Sequence, residues 1–223
     1  MWSDQVISMM IQGIWETIYM TVISTFAGYV IGLPMGIALT VTDKDGIRPN
    51  AAVYKVLVVI SNLVRSIPFI ILLVILIPFT RLVAGQSYGS KATIVPLVIA
   101  AAPYIARMVE SSLKEVDPGV IEAARSMGAS DVTIIVKVML VEARTSLIVG
   151  ATIALGTILG YSAMSGTVGG GGLGAIAIRY GYTRWQTDIL VVSVILLMIL
   201  FQIFQTIGMK LADKSDQIGR AHV

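Results

Sequence analysis

The sequence predicts an all-α, polytopic membrane protein with five transmembrane helices. Of its 223 residues, 56% are hydrophobic and 13% are charged, whereas soluble domains carry about 25% charged residues. Five separate stretches are also long and apolar enough to cross a membrane, since a helix needs roughly 20 residues to span a hydrocarbon core of about 30 Å. A water-soluble core could not bury so much apolar surface, so the membrane is the expected environment.

The five predicted spans are joined by short polar connections, with one exception. They cover residues 17–40, 56–80, 92–109, 145–165 and 189–209. We expect Pro34, with Gly32 and Gly36 beside it, to bend the first span, and Pro96 and Pro103 to bend the third. The exception is a long polar segment, residues 110–144, which is the only candidate for folded structure outside the membrane.

The second span contains an arginine, Arg65. A helix that began only at Ser66 would have about 15 residues before Arg81, which is short for a span. Starting the helix near Val56 places Arg65 in the cytoplasmic half, facing protein or a wet cavity. Two interpretations stay open: an arginine that snorkels to the membrane surface, or one that packs helices or lines a pathway.

Basic residues predict the orientation, because lysine and arginine are favoured in cytoplasmic loops. Residues 1–16 contain neither. Of the 16 lysines and arginines, only four lie on the side of the N-terminus: Arg81, Lys91, Arg179 and Arg184. We therefore predict an external N-terminal segment at residues 1–12, and a cytoplasmic location for residues 110–144 and for the tail at 210–223.

Several function classes are disfavoured by the residue types present. The chain has no cysteine, and its single histidine, His222, is the penultimate residue. No nucleophile, base and orienting group are arranged for catalysis. The predicted spans contain no Asp or Glu, which disfavours an ion-coupled secondary transporter, because proton relays need protonatable groups within the membrane; a passive channel stays open. The net charge of +3 is spread over separate loops, which argues against nucleic-acid binding.

Residues 117–128 have the pattern of a short helix with both ends marked. Asp117 is a typical N-cap, and Pro118 suits the first helical position. Gly128 can adopt the left-handed conformation that ends a helix. Ser130 then caps a second helix that runs to about Leu140. The two helices together predict an L-shaped cytoplasmic protrusion.

The first helix of this protrusion has an apolar face. Its members are Val120, Ile121, Ala124 and Met127. Helical spacing puts them on one side, and the adjacent Ala123 keeps the profile slim enough to enter a groove. We expect this face to be exposed and to need a partner. The alternative, a helix lying on the bilayer, would favour Lys or Arg where Glu122 and Asp131 stand.

The segment Glu122-Ala123-Ala124, followed after three residues by Gly128, resembles the EAA loop of ABC importer permeases. Val141 stands where that loop usually ends in proline. Longer stretches resemble the methionine-importer branch of this class over nearly the whole chain: residues 13–17 (GIWET), 65–73 (RSIPFIILL), 102–110 (APYIARMVE) and 160–164 (GYSAM).

The resemblance implies a type I ABC importer permease fold over residues 13–209, with residues 110–144 as the coupling segment. It implies a multi-pass protein of the bacterial inner membrane that pairs with itself. Further partners would be two cytoplasmic ABC ATPase subunits, which bind ATP and Mg, and an external methionine-binding protein. The chain itself would hold no cofactor and would not be an enzyme. The cargo would be L- and D-methionine; another small amino acid or solute is the alternative.

The resemblance also assigns roles to single residues. Those expected to couple the permease to the ATPase are Glu122, Ala123, Ala124, Met127 and Gly128. Those predicted for the gate or the pathway are Arg65, Tyr161, Ser162 and Met164. An unbranched methionine can plug or clear a narrow passage by changing rotamer. Ordinary packing between helices or against lipid is the alternative for the second group.

A glycine-rich stretch, residues 169–174, follows the fourth span. A phosphate-binding loop would need a following Lys-Ser or Lys-Thr, which is absent. Two interpretations remain. The stretch is a flexible external hairpin, or a turn near the external mouth whose backbone packs closely or moves against the solute receptor.

Overall fold

The computed structural model of the protein describes residues 3–220, with backbone alone for residues 217–220. All regular elements in this range are helices, which confirms the predicted class. In chain order they are α1 (Asp4–Thr42), α2 (Ala51–Ser66), α3 (Phe69–Ile75), α4 (Ile77–Ala84), α5 (Ser90–Lys114), α6 (Pro118–Ser126), α7 (Asp131–Thr133), a π-helical turn (Ile134–Met139), α8 (Leu140–Glu142), α9 (Arg144–Met164), a 3₁₀ turn (Ser165–Val168), α10 (Gly172–Ile176), a second π-helical turn (Ala177–Tyr182) and α11 (Thr187–Arg220). His222 lies outside the described residues.

Four helical stretches of the described residues are long and apolar enough to cross a membrane: Asp4–Thr42, Ser90–Lys114, Arg144–Tyr182 and Thr187–Asp216. The pair α2 and α3 has the length and composition of a fifth span, although its two parts meet at 100°. Several helices continue beyond the predicted bounds. Residues 4–12, predicted as an external segment, form the first turns of α1. At the other end of the chain, α11 continues to Arg220, within the predicted tail. A helix can extend past the membrane in this way because its backbone hydrogen bonds are made within the segment itself.

The second span is broken, which corrects the prediction of one helix over residues 56–80. α2 ends at Ser66, and Ile67 takes an extended conformation with φ −83° and ψ 124°. The cause is Pro68, whose ring disfavours the helical conformation of the residue before it. Arg65 is therefore not in the cytoplasmic half of a continuous helix. It lies at the end of α2, about 21 Å along the helix from Ala51 at 1.5 Å per residue.

The core is built around the close pairing of α1 and α5. Gly28, Gly32 and Gly36 recur at every fourth residue of α1 and face the alanine-rich side of α5. A methyl group on Gly32 would lie 2.7 Å from the carbonyl oxygen of Ala102. Small residues at this spacing let two helix backbones approach each other in the membrane. The glycines beside Pro34 thus serve this close approach, and α1 continues through the proline as one helix.

The glycine-rich stretch is a tightly packed turn, so the prediction of a flexible hairpin is wrong. A 3₁₀ turn, Ser165–Val168, precedes it, and α10 begins within it at Gly172. A methyl group on Gly174 would lie 2.1 Å from the carbonyl oxygen of Ala163, and one on Gly166 would lie 2.4 Å from the backbone nitrogen of Ala175. The two sides of the turn touch backbone to backbone, and glycine is the residue that permits this contact.

Candidate coupling segment and solute pathway

The elbow, defined here as residues 117–142, has the predicted ends. The Asp117 side chain accepts a hydrogen bond from the Gly119 N–H at 2.6 Å, and Pro118 occupies the first turn of α6. Gly128 has φ +82°, the left-handed conformation that ends a helix. The Ser130 hydroxyl accepts from the Thr133 N–H at 3.3 Å and caps the next helix. The two helix starts and the helix end predicted from these four residues are therefore present.

The second arm of the elbow differs from the single α-helix that was predicted. α7 passes into a π-helical turn and then into α8, and Ala143 joins it to α9. Val141, which replaces the usual proline, lies in α8 with its side chain exposed. The direction of the chain into α9 is therefore set without a proline.

The apolar face of α6 is only partly exposed. Met127 is 82% exposed and Val120 is also exposed, but Ala124 is only 5% exposed. Ile121 is half-buried and packs against the same core as Ala124. The prediction of one continuous exposed face is wrong, because α6 rests on the π-helical turn of the second arm. Glu122 and Ala123 are exposed, and Val132, at the start of the second arm, is exposed as well.

The loop between α1 and α2, residues 43–50, is tied to both arms of the elbow. The Arg125 guanidinium donates a hydrogen bond to the Ile47 carbonyl oxygen at 3.0 Å. Arg48 forms an ion pair with Asp131, at the start of the second arm. This strap, formed by Arg48, Asp131, Arg125 and Ile47, connects the elbow to the ends of α1 and α2.

A charged cluster under the elbow holds three helices together. Glu110, which is buried, forms ion pairs with Arg107 at 2.5 Å and with Lys114 at 2.9 Å. The Tyr54 hydroxyl of α2 donates to the same carboxylate at 3.3 Å. Lys114 also binds Asp43, at the end of α1, at 2.6 Å. This cluster was not predicted from the sequence, although the spacing of Arg107, Glu110 and Lys114 at i, i+3 and i+7 indicates side chains on one helical face.

The pKa of Asp43 is lowered from its ordinary value. The main cause is the hydrogen bond from Lys114, which favours the ionised carboxylate. The backbone N–H of Lys44, at 2.7 Å, acts in the same direction. Asp43 is therefore a carboxylate at neutral pH and keeps its link to α5.

Two of the predicted pathway residues meet at the break in the second span. Arg65 and Tyr161 line the same cavity of about 190 Å³, together with Phe69 and Tyr104. The rings of Phe69 and Tyr161 are stacked, with centroids 4.4 Å apart and planes 9° from parallel. The Thr157 hydroxyl lies 3.4 Å from that of Tyr104. The cavity thus combines one cation with three aromatic side chains.

The other two predicted pathway residues lie elsewhere. Ser162 is buried and donates to the carbonyl oxygen of Leu159 at 2.8 Å within α9. Met164 ends α9 and is 46% exposed. Neither side chain lines the cavity beside Arg65. Of the four residues, the structure brings together only Arg65 and Tyr161.

The glycine-rich turn, at residues 169–174, lies at the opposite end of the molecule from the elbow and is hydrogen-bonded to α1. The Glu16 carboxylate accepts a hydrogen bond from the Gly172 N–H at 2.8 Å, and the Thr17 hydroxyl accepts one from the Leu173 N–H at 2.9 Å. Gln12 donates to the other oxygen of Glu16 at 3.0 Å. The turn and α1 border a polar cavity of about 620 Å³. The sequence analysis placed Glu16 before the first span without assigning it this role.

No cluster of three or more metal-ligating side chains occurs among the residues that the structure describes. The charged side chains at the elbow and its base bind one another or are exposed. The candidate site thus consists of an exposed surface on the elbow and a cavity, lined by Arg65 and aromatic side chains, at the break of the second span.

Comparison with known proteins gives a consistent result. Residues 28–215 match the family described as "Binding-protein-dependent transport system inner membrane component". The chain is 46% identical over 202 residues to the probable D-methionine transport system permease protein MetI of Vibrio cholerae, covering 91% of this chain and 90% of that protein. It is 52% identical over 164 residues to the D-methionine transport system permease protein MetI of Escherichia coli K12, covering 74% and 76%.

The fold is likewise similar to a solved transporter. The MetNI methionine ABC transporter, in an inward-facing conformation, contains a chain that superimposes with a TM-score of 0.94 at 47% identity. The match covers 96% of this chain and 99% of that chain.

Proposed function

Because the chain belongs to the family of binding-protein-dependent transport system inner membrane components, we propose that it is the permease subunit of an ATP-driven importer for methionine. The observation that carries this proposal is the elbow, whose capped helix, left-handed Gly128 and exposed Met127 and Val120 form a protruding surface for a partner. The D-methionine permeases to which the chain is similar support the cargo. Both stereoisomers of methionine are proposed substrates.

The partner at the elbow is a cytoplasmic ATPase that binds ATP and Mg. Glu122 is exposed next to the apolar surface, where its carboxylate can accept charge-assisted hydrogen bonds from the ATPase. Met127 and Ala123 supply the apolar contact. Two such ATPase subunits serve a permease dimer, and the energy for transport comes from them, so this chain is not itself the enzyme.

Two copies of the chain enclose the pathway. Much of α2 and α11 is exposed and apolar, including Val59, Leu63, Ile195 and Ile199, and these surfaces need lipid or another copy as cover. Five spans surround a solute poorly by themselves, which gives dimer formation a geometric reason. The protein lies in the bacterial inner membrane with its N-terminus in the periplasm and its C-terminus in the cytoplasm. This orientation puts most of the lysines and arginines on the cytoplasmic side, where they are favoured.

The strap can transmit a movement of the elbow to the membrane-spanning helices. When ATP binding closes the ATPase dimer, the two elbows move together, and each strap moves the ends of α1 and α2 with its elbow. The charged cluster at Glu110 extends the connection to α5. The helices then open outward to accept methionine from an external binding protein, which docks beside the turn at Gly172. Hydrolysis returns the helices to the inward-facing arrangement.

Met164 is proposed as part of the gate, as its place at the end of α9 and its exposure allow. A Met164→Ala variant should leak or lose coupling between ATP hydrolysis and the loaded binding protein. Unchanged uptake together with unchanged coupling would leave Met164 with a packing role only. Ser162, which is buried, has no such exposed position.

Uptake of radiolabelled methionine into proteoliposomes tests the function directly. The vesicles contain this chain and its candidate ATPase, with the binding protein outside and ATP inside, each supplied or withheld. We expect uptake only when both are present. Uptake that follows an ion gradient without ATP would instead indicate a secondary transporter.

A further inference from the structure

The cavity at the break of the second span contains a charge without a partner. No hydrogen bond or ion pair joins the Arg65 guanidinium to any of the residues that the structure describes. An unpaired charge at membrane depth is costly, and such residues face protein interiors or wet cavities. Arg65 does line a cavity, and its position about 21 Å along α2 puts it far from the start of that helix.

The chain offers Arg65 no acidic partner at this level. Residues 17–42, 51–109, 143–187 and 189–212 contain no Asp or Glu. Glu110 is already bound to Arg107 and Lys114. A second copy has the same sequence, so it adds no carboxylate in these ranges either. Any anion that Arg65 binds must therefore come from outside this chain and its copy.

We propose that Arg65 binds the carboxylate of the amino acid as it passes through the membrane, with Tyr104 and Tyr161 contacting the rest of the solute. This inference rests on the proposed function, because it assumes an amino acid cargo. A guanidinium group binds a carboxylate through two parallel hydrogen bonds. The aromatic faces suit both other parts of methionine, since they attract an ammonium group and contact thioether sulfur favourably.

The size and rigidity of the cavity fit such a site. Its volume is about 190 Å³, below the roughly 300–1,000 Å³ of pockets for drug-sized ligands, which suits a small solute better than a peptide. The Tyr161 ring is held by stacking on Phe69, and the Tyr104 hydroxyl contacts the hydroxyl of Thr157. Arg65 is exposed, which makes the site a weak one. A transport site has to release its solute, so binding at such a site must be weak enough for departure.

Equilibrium binding tests the site without the external receptor. The permease–ATPase complex, in nanodiscs of phosphatidylcholine, is titrated with radiolabelled methionine. We expect saturable binding by the wild type, at least a tenfold weaker affinity for Arg65→Gln, and an intermediate affinity for Arg65→Lys, which keeps the charge but not the paired hydrogen bonds. The matched control is Lys55→Gln, which removes a charge from the start of the same helix and should bind like the wild type.

A competitor without a carboxylate isolates the contact. Methioninol, in which an alcohol replaces the carboxylate, should compete poorly against methionine in the wild type. It should bind wild type and Arg65→Gln with similar affinity. Equal methionine affinity in wild type and Arg65→Gln, or no saturable binding by the wild type, would overturn the inference.

Uptake by the same preparations separates this inference from the proposed function. If the wild type imports methionine with ATP and receptor while Arg65→Gln imports at the full rate, only the role of Arg65 fails. If the wild type does not import methionine at all, the proposed function fails. Nanodiscs that contain phosphatidylglycerol, whose headgroup has a net negative charge, test an anionic lipid as the ligand of Arg65. If Arg65→Gln changes only the dependence on this lipid and leaves methionine affinity unchanged, the carboxylate site is overturned as well.

Discussion

The elbow and the turn at the other end of the molecule both depend on a glycine with positive φ, but for different reasons. Gly128 in the elbow has φ +82° and would give an added methyl group open space. Gly172 in the turn has φ +79°, and its methyl group would lie 2.5 Å from the Thr17 hydroxyl oxygen. The elbow therefore needs glycine only because of the positive φ angle. The turn needs it because of the positive φ angle and because a side chain would collide with Thr17.

The two regions also differ in exposure. The elbow exposes the side chains of Met127 and Glu122, where a partner is proposed to bind. The turn is packed against α1 and held by Glu16 and Thr17. Substitutions in the turn should therefore reduce stability, and substitutions in the elbow should reduce coupling more than stability.

The largest effect is expected from Gly172→Ala. The positive φ costs an L-residue about 1–2 kcal/mol, and crowding against Thr17 adds an overpacking cost of about 1–3 kcal/mol. We expect a clear loss of thermal stability in detergent, measured by fluorescence-detected size exclusion after heating. Gly85→Ala is the matched control, since Gly85 has φ +73° with no atom within 4 Å. Equal losses in the two variants would contradict a role for close packing.

The next effect is expected from Gly128→Val. A β-branched residue is strained at positive φ, so the angle between the two arms should change while the membrane helices still form. We expect methionine uptake to fall by about tenfold or more, with membrane insertion intact and with ATP hydrolysis that no longer depends on the loaded binding protein. Gly85→Val carries a similar strain outside the elbow and should keep its coupling. Wild-type uptake by Gly128→Val would refute the role of the bend.

A smaller effect is expected from Glu16→Gln. The amide can still accept the hydrogen bond from Gly172, but it loses the negative charge, and a charge-assisted bond exceeds a neutral one by about 1 kcal/mol. The thermal midpoint should fall slightly, and more in Glu16→Ala, which loses the acceptor altogether. If Glu16→Ala is as stable as the wild type, the close packing of the glycines holds the turn, and the hydrogen bond from Gly172 to Glu16 does not contribute.

The smallest effect is expected from Asp43→Asn at the base of the elbow, and it should depend on pH. The folded-state pKa of Asp43 is lowered by Lys114, so its carboxylate adds stability above the unfolded value of 3.8, and this contribution is lost as pH falls below it. The thermal midpoints of wild type and Asp43→Asn should differ at pH 7 and converge toward pH 3. A constant difference across this range would contradict the ion pair as its cause.

The sequence predicted the elements that depend on local signals. The caps at Asp117 and Ser130 and the left-handed Gly128 are fixed by bonds within a few residues of each side chain. The bend before Pro68 had the same kind of signal, since proline acts on its neighbour, but the apolar run across it favoured one continuous span. The spacing of Gly28, Gly32 and Gly36 marks a close helix contact, but Gly32 and Gly36 were interpreted from the sequence as part of a bend at Pro34.

Other features could not be predicted, because they join residues far apart in the chain. Ala124 has the spacing of an exposed apolar face, and only the folding of the second arm against α6 buries it. The strap joins Arg48 to Asp131, and the turn joins Glu16 to Gly172. The meeting of Arg65 with Tyr104 and Tyr161 depends on three separate helices.

The sequence by itself determined that the chain is helical, apolar enough for the membrane, and bent at Gly128. These properties follow from composition, from the number of consecutive apolar residues, and from backbone preferences of single residues. The tertiary structure alone decided which charges are paired, which apolar side chains stay exposed, and which residues share a cavity. The physical reason is that burial and pairing depend on distances between helices, and those distances are set only when the helices pack.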